Sequence, residues 1–184
     1  MRSEKLLSQE NAMLLVVDLQ DAFLNHIKNI NDVIERSCVM IKAAKLLEIP
    51  IVVTEQYPKG LGRTAQPVQD ILGEITYYDK VAFGCMADDN INSVITQIQR
   101  PQIIVIGIET HVCISQTVHD LLAHNLQPFI AADAVSSRRK IDHKTALQRM
   151  QHAGATITTT EAALFEMMTY SKHNAFREIS KLVK

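Results

Sequence analysis

The chain has 184 residues, of which 47% are hydrophobic and 21% are charged, and its formal net charge is −1. This length and apolar composition favour one globular domain over residues 1–184 and exclude disordered and collagen-like classes. A nearly neutral chain lacks the positive charge typical of nucleic-acid-binding proteins. We therefore expect a small molecule or another copy of the chain as partner, and no nucleic acid.

The amino terminus, MRSEKLLSQENAM, carries polar and charged residues where a secretory signal needs an uninterrupted apolar core. The longest apolar runs, such as Ile103–Ile106, are too short to cross a bilayer. The sequence therefore predicts a cytoplasmic protein that does not enter a membrane.

The cysteines and histidines form no metal-binding pattern. Cys38, Cys85 and Cys113 are too scattered for a disulfide framework or a C-x-x-C zinc site, and the seven histidines include no H-E-x-x-H motif. We expect no bound metal and at least one free thiol.

Long aliphatic runs without polar alternation are typical of strands buried on both faces, and here they alternate with segments of helical periodicity. This order indicates a parallel sheet with helices on both faces. In chain order the sequence predicts a strand over 13–17, a helix over 33–47, strands over 49–54 and 75–78, a helix over 90–98, a strand over 103–107, a helix over 113–124, a strand over 129–132, a helix over 145–152, a strand over 156–158, and helices over 161–168 and 175–182.

Some boundaries have a local chemical cause. Asp88 or Asp89 can accept hydrogen bonds from the first amides of the helix near residue 90, and Thr160 can do so for the helix that follows it. Gly60 and Gly62 predict a tightly turning or mobile loop after the second strand.

Polar residues at the carboxyl ends of the strands are the first candidates for chemistry, because ligands of parallel sheets bind there. The first strand ends in VVDLQDAF, which places Asp18 and Gln20 at that edge and Phe23 just after it. A helix cap or a surface ion pair is the competing interpretation of a lone aspartate in this position.

Cys113 lies where a strand turns into a helix in VIGIETHVCISQTVHDLL. The free amides and partial positive charge of a helix start favour thiolate over thiol and can receive an oxyanion. Cys38, within an apolar helix, fits a buried structural thiol instead, and Cys85 is compatible with the same interpretation.

Lys80, between ITYYD and VAFG, follows a short strand. A lone lysine is ordinarily a solvated surface charge. Beside Asp18 and Cys113, however, its ammonium group would stabilise both a carboxylate and a thiolate. No G-x-G-x-x-G or P-loop motif follows the first strand, so no nucleotide or other cofactor is predicted.

The combination of VVDLQDAF, the lysine in the middle of the chain and GIETHVCISQTVHDL resembles the isochorismatase-like cysteine hydrolases over nearly the whole domain. TEQYPKGLGRT and ADAVSSR resemble the isochorismatase domain-containing subgroup. The resemblance implies a three-layer Rossmann-like fold with a six-stranded parallel sheet. It also implies an Asp18–Lys80–Cys113 triad, a non-proline cis peptide between Ile108 and Glu109, and a homo-oligomer, either a tetramer or an octamer.

By this resemblance, the chain hydrolyses a small amide-type C–N bond through a thioester on Cys113. The Glu109 and Cys113 amides would form the oxyanion hole. The substrate pocket is expected to include Gln20, Phe23, Tyr57, Phe83 and His111, although core packing is an equal alternative for Phe23 and Phe83.

The stretch Glu55–Pro58 lacks the Asp and His ligands of metal-dependent nicotinamidases, which puts nicotinamide in doubt as the substrate. Isochorismate is also disfavoured, because the enzymes that cleave it lack the cysteine that this chain retains. Two other classes stay open: a non-catalytic binding or scaffold protein, and a redox-active thiol protein in which Cys85 would resolve an oxidised Cys113.

Overall fold

The computed structural model describes residues 2–184, and its centre is one six-stranded sheet in the order β3-β2-β1-β4-β5-β6. Every neighbouring pair of strands is parallel. The strands are β1 (Ala12–Val17), β2 (Ile51–Gln56), β3 (Tyr77–Lys80), β4 (Gln102–Ile108), β5 (Gln127–Ser136) and β6 (Thr156–Thr158). The helices are α1 (Asp21–Leu24), α2 (Ile30–Leu46), α3 (Pro58–Leu61), α4 (Gln66–Leu72), α5 (Asp89–Gln97), α6 (Ser115–Ala123), α7 (Lys140–His152), α8 (Thr160–Met168) and α9 (Phe176–Leu182).

The sheet is covered on both faces, which confirms the predicted three-layer α/β fold. Every residue of β1 and β4 is buried, so their unbroken aliphatic sequence reflects a sheet with no solvent-facing side. Leu14 and Val16 contribute to one apolar core with α2, α4, α8 and α9, whereas Met13 and Leu15 contribute to a second core with α5, α6 and α7. Within residues 2–184, no helix has both the length and the apolarity needed to span a membrane.

The predicted strands are all present, but several ends differ. β3 begins and ends two residues later than predicted, so that Lys80 is its last residue rather than a residue beyond it. β5 continues to Ser136 because its register with β4 shifts after Val105, and this irregularity extends the pairing. α7 begins at Lys140, where charged side chains hide the helical pattern.

Two helix starts correct or confirm the predicted caps. Asp88 accepts hydrogen bonds from Asn90 N and Ile91 N, as predicted. The cap of α8 is Thr159 rather than Thr160, because the Thr159 side chain accepts from Ala162 N while Thr160 donates to Asp133 on β5.

Short helical segments around the sheet edge escaped prediction. α1, α3 and α4 have four to seven residues, too few to show an apolar periodicity, and α3 and α4 start with proline in the first turn. The predicted tight turn after β2 is present, since Gly62 closes α3 with φ +77°.

Gly107 allows β4 to approach β1 closely near their carboxyl ends. Its φ is +120°, and a Cβ atom there would lie 2.0 Å from the Val17 carbonyl oxygen. Only glycine fits such a contact with rigid backbone. The residues after Val17 and after Gly107 are therefore held next to each other.

Candidate active site

The carboxyl ends of β1 and β4 form the point where strand order reverses, since the chain passes from β1 to β2 on one side and β4 lies on the other. In open α/β sheets this point makes the ligand crevice. β1 delivers Asp18 there, and β4 delivers the turn that contains Cys113.

Asp18 and Lys80 form a buried ion pair. Their side chains are 1% and 0% exposed, and Lys80 Nζ lies 2.7 Å from Asp18 Oδ2. Nζ also donates to Gln56 Oε1 at 2.7 Å and to the carbonyls of Phe83 and Ala82 at 3.1 and 3.3 Å. Burial acts to lower the pKa of Lys80, but the charge and hydrogen bond of Asp18, together with the neighbouring Cys85 and Cys113, outweigh it and raise that pKa, so the ammonium group stays charged.

The second carboxylate oxygen of Asp18 is also bonded, because Thr54 Oγ1 donates to Oδ1 at 2.8 Å. The Asp18 backbone has φ +50°, and its amide donates to the Thr54 carbonyl at 3.2 Å. Thr54 and Gln56, both on β2, were not predicted from the sequence. Neutral polar residues at a strand end carry no local signal, and only the register of the sheet brings Thr54 to Asp18 and Gln56 to Lys80.

Cys113 lies in a π-helical turn, Thr110–Ile114, and α6 begins only at Ser115. The thiol is not the exposed, acidic group expected of a helix start, because the residue is only 6% exposed. Burial, followed by the charge and hydrogen bonding of Asp18, raises the thiol pKa well above its ordinary value, although Lys80 acts in the opposite direction. The expected resting form is therefore the protonated thiol.

Cys85 belongs to the same neighbourhood. Its amide donates to Thr117 Oγ1 at 2.9 Å, and Thr117 Oγ1 donates to the Cys113 carbonyl at 2.7 Å. Its sulfur lies 3.9 Å from Thr54 Oγ1. Burial and the charge of Asp18 raise the pKa of Cys85 to about 11, which makes it a buried neutral thiol.

The turn that follows β4 begins with a cis peptide bond between Ile108 and Glu109, as the family resemblance implies. The Glu109 carbonyl accepts hydrogen bonds from the amides of Val112 and Ile114 at 3.1 and 3.3 Å. The Glu109 carboxylate accepts from Arg138 N at 2.9 Å and from Arg138 Nε at 3.1 Å. Both the backbone and the side chain of Glu109 thus fix the start of the turn.

Gln20 is buried and holds the loop after β2. Its Nε2 donates to the carbonyls of Gln56 and Gly62 at 3.0 and 2.7 Å, and its Oε1 accepts from Gln56 N at 2.7 Å. Gln20 therefore positions the strand end that carries Gln56, the residue that binds Lys80.

The other predicted pocket residues differ in exposure. Tyr57 and Phe83 are 52% and 56% exposed. Tyr57 follows Gln56, which accepts a hydrogen bond from Lys80 Nζ, and the backbone carbonyl of Phe83 accepts another. Phe23 is half-buried and packs against one apolar core, which fits the alternative of core packing. His111 lies in the Cys113 turn, with Nδ1 3.1 Å from Ser137 Oγ.

Glu55, the carboxylate in the stretch that lacks the nicotinamidase metal ligands, is fully engaged by its own loop. It accepts from Arg63 Nη1 at 2.7 Å and from Thr64 N and Oγ1 at 2.7 and 2.8 Å. Throughout residues 2–184, no three or more His, Cys, Asp or Glu side chains come together as a potential metal site.

Comparisons with known proteins agree with this architecture. The isochorismatase domain model matches residues 12–162. Isochorismatase family protein 1A of Dictyostelium discoideum is 38% identical, across 99% of this chain and 90% of that protein. Isochorismatase domain-containing protein 1 of Danio rerio is 36% identical, across 97% of this chain and 62% of that protein. The solved structure of MAR1 ribonuclease from Caenorhabditis elegans is 40% identical, with a TM-score of 0.91 and coverage of 96% and 91%. The chain belongs to the isochorismatase family of hydrolases.

Proposed function

We propose that this protein is a cysteine-dependent hydrolase of small amide-type substrates, with Cys113 as nucleophile, Asp18 as general base and acid, and Lys80 as the positive charge that balances them. The observation that carries this proposal is the buried Asp18–Lys80 pair at 2.7 Å next to a buried thiol. Buried charges next to a nucleophile at a strand-switch crevice are typical of active sites.

The raised pKa of Cys113 sets the order of the first step. Because the thiol is protonated at rest, its proton must leave as the sulfur attacks, and Asp18 is the neighbouring carboxylate that can accept it. The sulfur–carbon bond forms while the carbonyl electron pair moves to oxygen. The start of the helix therefore acts less by ionising the thiol in advance than by receiving charge during the reaction.

Collapse of the tetrahedral species breaks the C–N bond, and Asp18 returns the proton to the departing amine. The resulting thioester is then attacked by water, which Asp18 deprotonates. The C–S bond breaks, the carboxylic acid product leaves, and Asp18 returns the proton to the sulfur, which restores the Cys113 thiol. The Glu109 and Cys113 amides are the proposed oxyanion donors. Each such donor contributes about 3 kcal/mol in comparable hydrolases.

Lys80 has a role that does not require contact with the substrate. It holds Asp18 through one carboxylate oxygen and counteracts the rise of the thiol pKa. Its three other acceptors, Gln56 Oε1 and the carbonyls of Phe83 and Ala82, keep the ammonium group in place when Asp18 becomes neutral. Charge balance is thus retained through the proton transfers.

The test is a panel of small primary and secondary amides incubated with wild type, Cys113→Ala and the matched control Cys38→Ala. We expect turnover by wild type and Cys38→Ala and none by Cys113→Ala, with all three equally folded by circular dichroism. Turnover by Cys113→Ala would overturn the nucleophile assignment. Absence of turnover by wild type across the panel would favour a binding or scaffold role.

A second candidate follows from the C. elegans structure, whose protein is named a ribonuclease. Under this alternative, the same preparation would cleave RNA, although the chain has a net charge of −1 and thus little general attraction for a polyanion. The discriminating assay adds single-stranded RNA to the panel. RNA cleavage that persists after nuclease inhibitors are added and is lost in Cys113→Ala would favour this candidate over the amide hydrolase.

A further inference from the structure

A second feature of the sheet edge is a cavity of about 360 Å³ at the carboxyl end of β5. Three cationic side chains line it: Lys28 from the loop before α2, Arg138 from the loop after β5, and Lys140 from the start of α7. None of the lining residues is acidic. The cavity thus concentrates positive charge in a chain whose net charge is −1.

The three cations are unevenly paired. Arg138 Nε lies 3.1 Å from Glu109 Oε1, so part of its charge is offset. Lys28 and Lys140 form no ion pair with any residue in the part of the chain that the structure describes. At least two positive charges therefore remain to be balanced by a ligand or by solvent ions.

The remaining lining residues, Asn29, Ser136, Ser137 and His143, are uncharged at neutral pH. Ser136 Oγ donates to Asn29 Oδ1 at 2.6 Å, which ties the loop before α2 to the end of β5. Burial lowers the pKa of His143, which therefore contributes an uncharged ring at neutral pH. These residues add no negative charge that would repel an oxyanion.

The cavity is joined to the proposed nucleophile through the turn after β4. The side chain of Glu109 binds Arg138, Thr110 Oγ1 lies 3.0 Å from His143 Nδ1, and the next residue, His111, contacts Ser137. Three consecutive residues of the Cys113 turn are thus fixed to the cavity wall. A group bound in the cavity would be held at a defined position relative to that turn.

We propose that this cavity binds an oxyanion group of the substrate, a carboxylate or a phosphate, and that the amide substrate is therefore an anionic molecule. The part of this inference that concerns the substrate rests on the proposed hydrolase function, but anion binding in the cavity does not depend on turnover. Arg138 offers a planar fork that matches carboxylate and phosphate, and Lys28 and Lys140 add charge from the two flanking loops.

The test is calorimetric titration of the wild-type chain at low salt with glutarate, with inorganic phosphate and, as a neutral control, with glutaramide. Glutarate and phosphate contain no amide, so their binding is measured apart from catalysis. We expect saturable binding of at least one of the two anions and none of glutaramide. The stronger anion identifies whether the group is a carboxylate or a phosphate.

Arg138→Gln and Lys28→Gln should each weaken that binding at least about ten-fold, the loss of roughly one charge-assisted hydrogen bond. Arg139→Gln is the matched control, because this substitution removes the same charge at the next residue. Arg139 pairs with Asp142 and does not line the cavity. Failure of both anions to bind, or equal weakening by Arg139→Gln, would overturn the proposal. Anion binding without amide turnover would refute the hydrolase function and leave the oxyanion site standing.

Discussion

Two carboxylates lie at the ends of neighbouring strands, and both are 1% exposed: Asp18 after β1 and Glu55 in β2. Glu55 is satisfied by Arg63 and Thr64, residues eight and nine positions along the same loop. Asp18 is bound by Thr54 and Lys80, which are 36 and 62 positions away. Equal burial thus arises from a local arrangement in one case and from three assembled strands in the other.

The comparison separates a structural carboxylate from a candidate catalytic one. The partners of Glu55 fasten a loop to the strand that it follows, and two of its three hydrogen-bond donors belong to Thr64. Asp18 instead lies beside a thiol whose pKa it raises. A buried acid acquires a chemical role when it is next to a nucleophile, and burial alone does not confer one.

The largest expected effect comes from Asp18→Asn. The change keeps the shape but removes the proton acceptor, so we expect amide turnover to fall by about 10²- to 10⁴-fold. It also leaves Lys80 as an unpaired buried cation, which costs about 3 kcal/mol of the free energy of unfolding. Turnover and urea denaturation measure the two effects.

The matched control for that variant is Asp79→Asn, next to Lys80 in β3, whose side chain is 58% exposed. It should leave both turnover and stability close to wild type. An Asp18→Asn protein with full turnover would show that Asp18 is as purely structural as Glu55.

Glu55→Gln should have the opposite profile. It removes a buried negative charge that accepts three hydrogen bonds, so we expect a loss of about 1–3 kcal/mol in the free energy of unfolding. Turnover at a temperature where the variant is folded should remain close to wild type. A loss of turnover comparable to that of Asp18→Asn would remove the distinction between the two carboxylates.

A smaller effect is expected from Cys85 at alkaline pH. Its pKa is about 11 in the folded protein against 9.0 for a free thiol, so folding favours the protonated form. The associated stability is complete below pH 9 and is lost as the pH rises towards 11. The maximum loss for a shift of this size is about 3 kcal/mol.

Denaturation of wild type and Cys85→Ala between pH 8 and pH 11 checks this point. The alanine variant should lose less stability over that interval, since it lacks the Cys85 thiol that ionises on unfolding. Parallel curves for the two proteins would mean that the burial of Cys85 does not control its protonation.

The fold could be read from the sequence because its strands are buried on both faces, as the aliphatic run of β4 shows. The strand-end position of Asp18 follows from the same pattern. The low acidity of Cys113 could not be predicted, because it depends on burial and on a carboxylate 95 positions earlier in the chain. Thr54 and Gln56 were missed for a similar reason, since the register of β2 beside β1 brings Thr54 to Asp18 and the register of β3 beside β2 brings Lys80 to Gln56.

The central claim is that Cys113 forms a covalent acyl intermediate, and the most direct measurement is rapid quenching of the wild type during turnover of an active amide. Digestion and peptide fragmentation by mass spectrometry then locate any acyl group. The account predicts one acyl group on the sulfur of Cys113 that disappears with hydroxylamine, a reagent that cleaves thioesters. An acyl group on Cys38 or Cys85 instead, or turnover by Cys113→Ala, would contradict it.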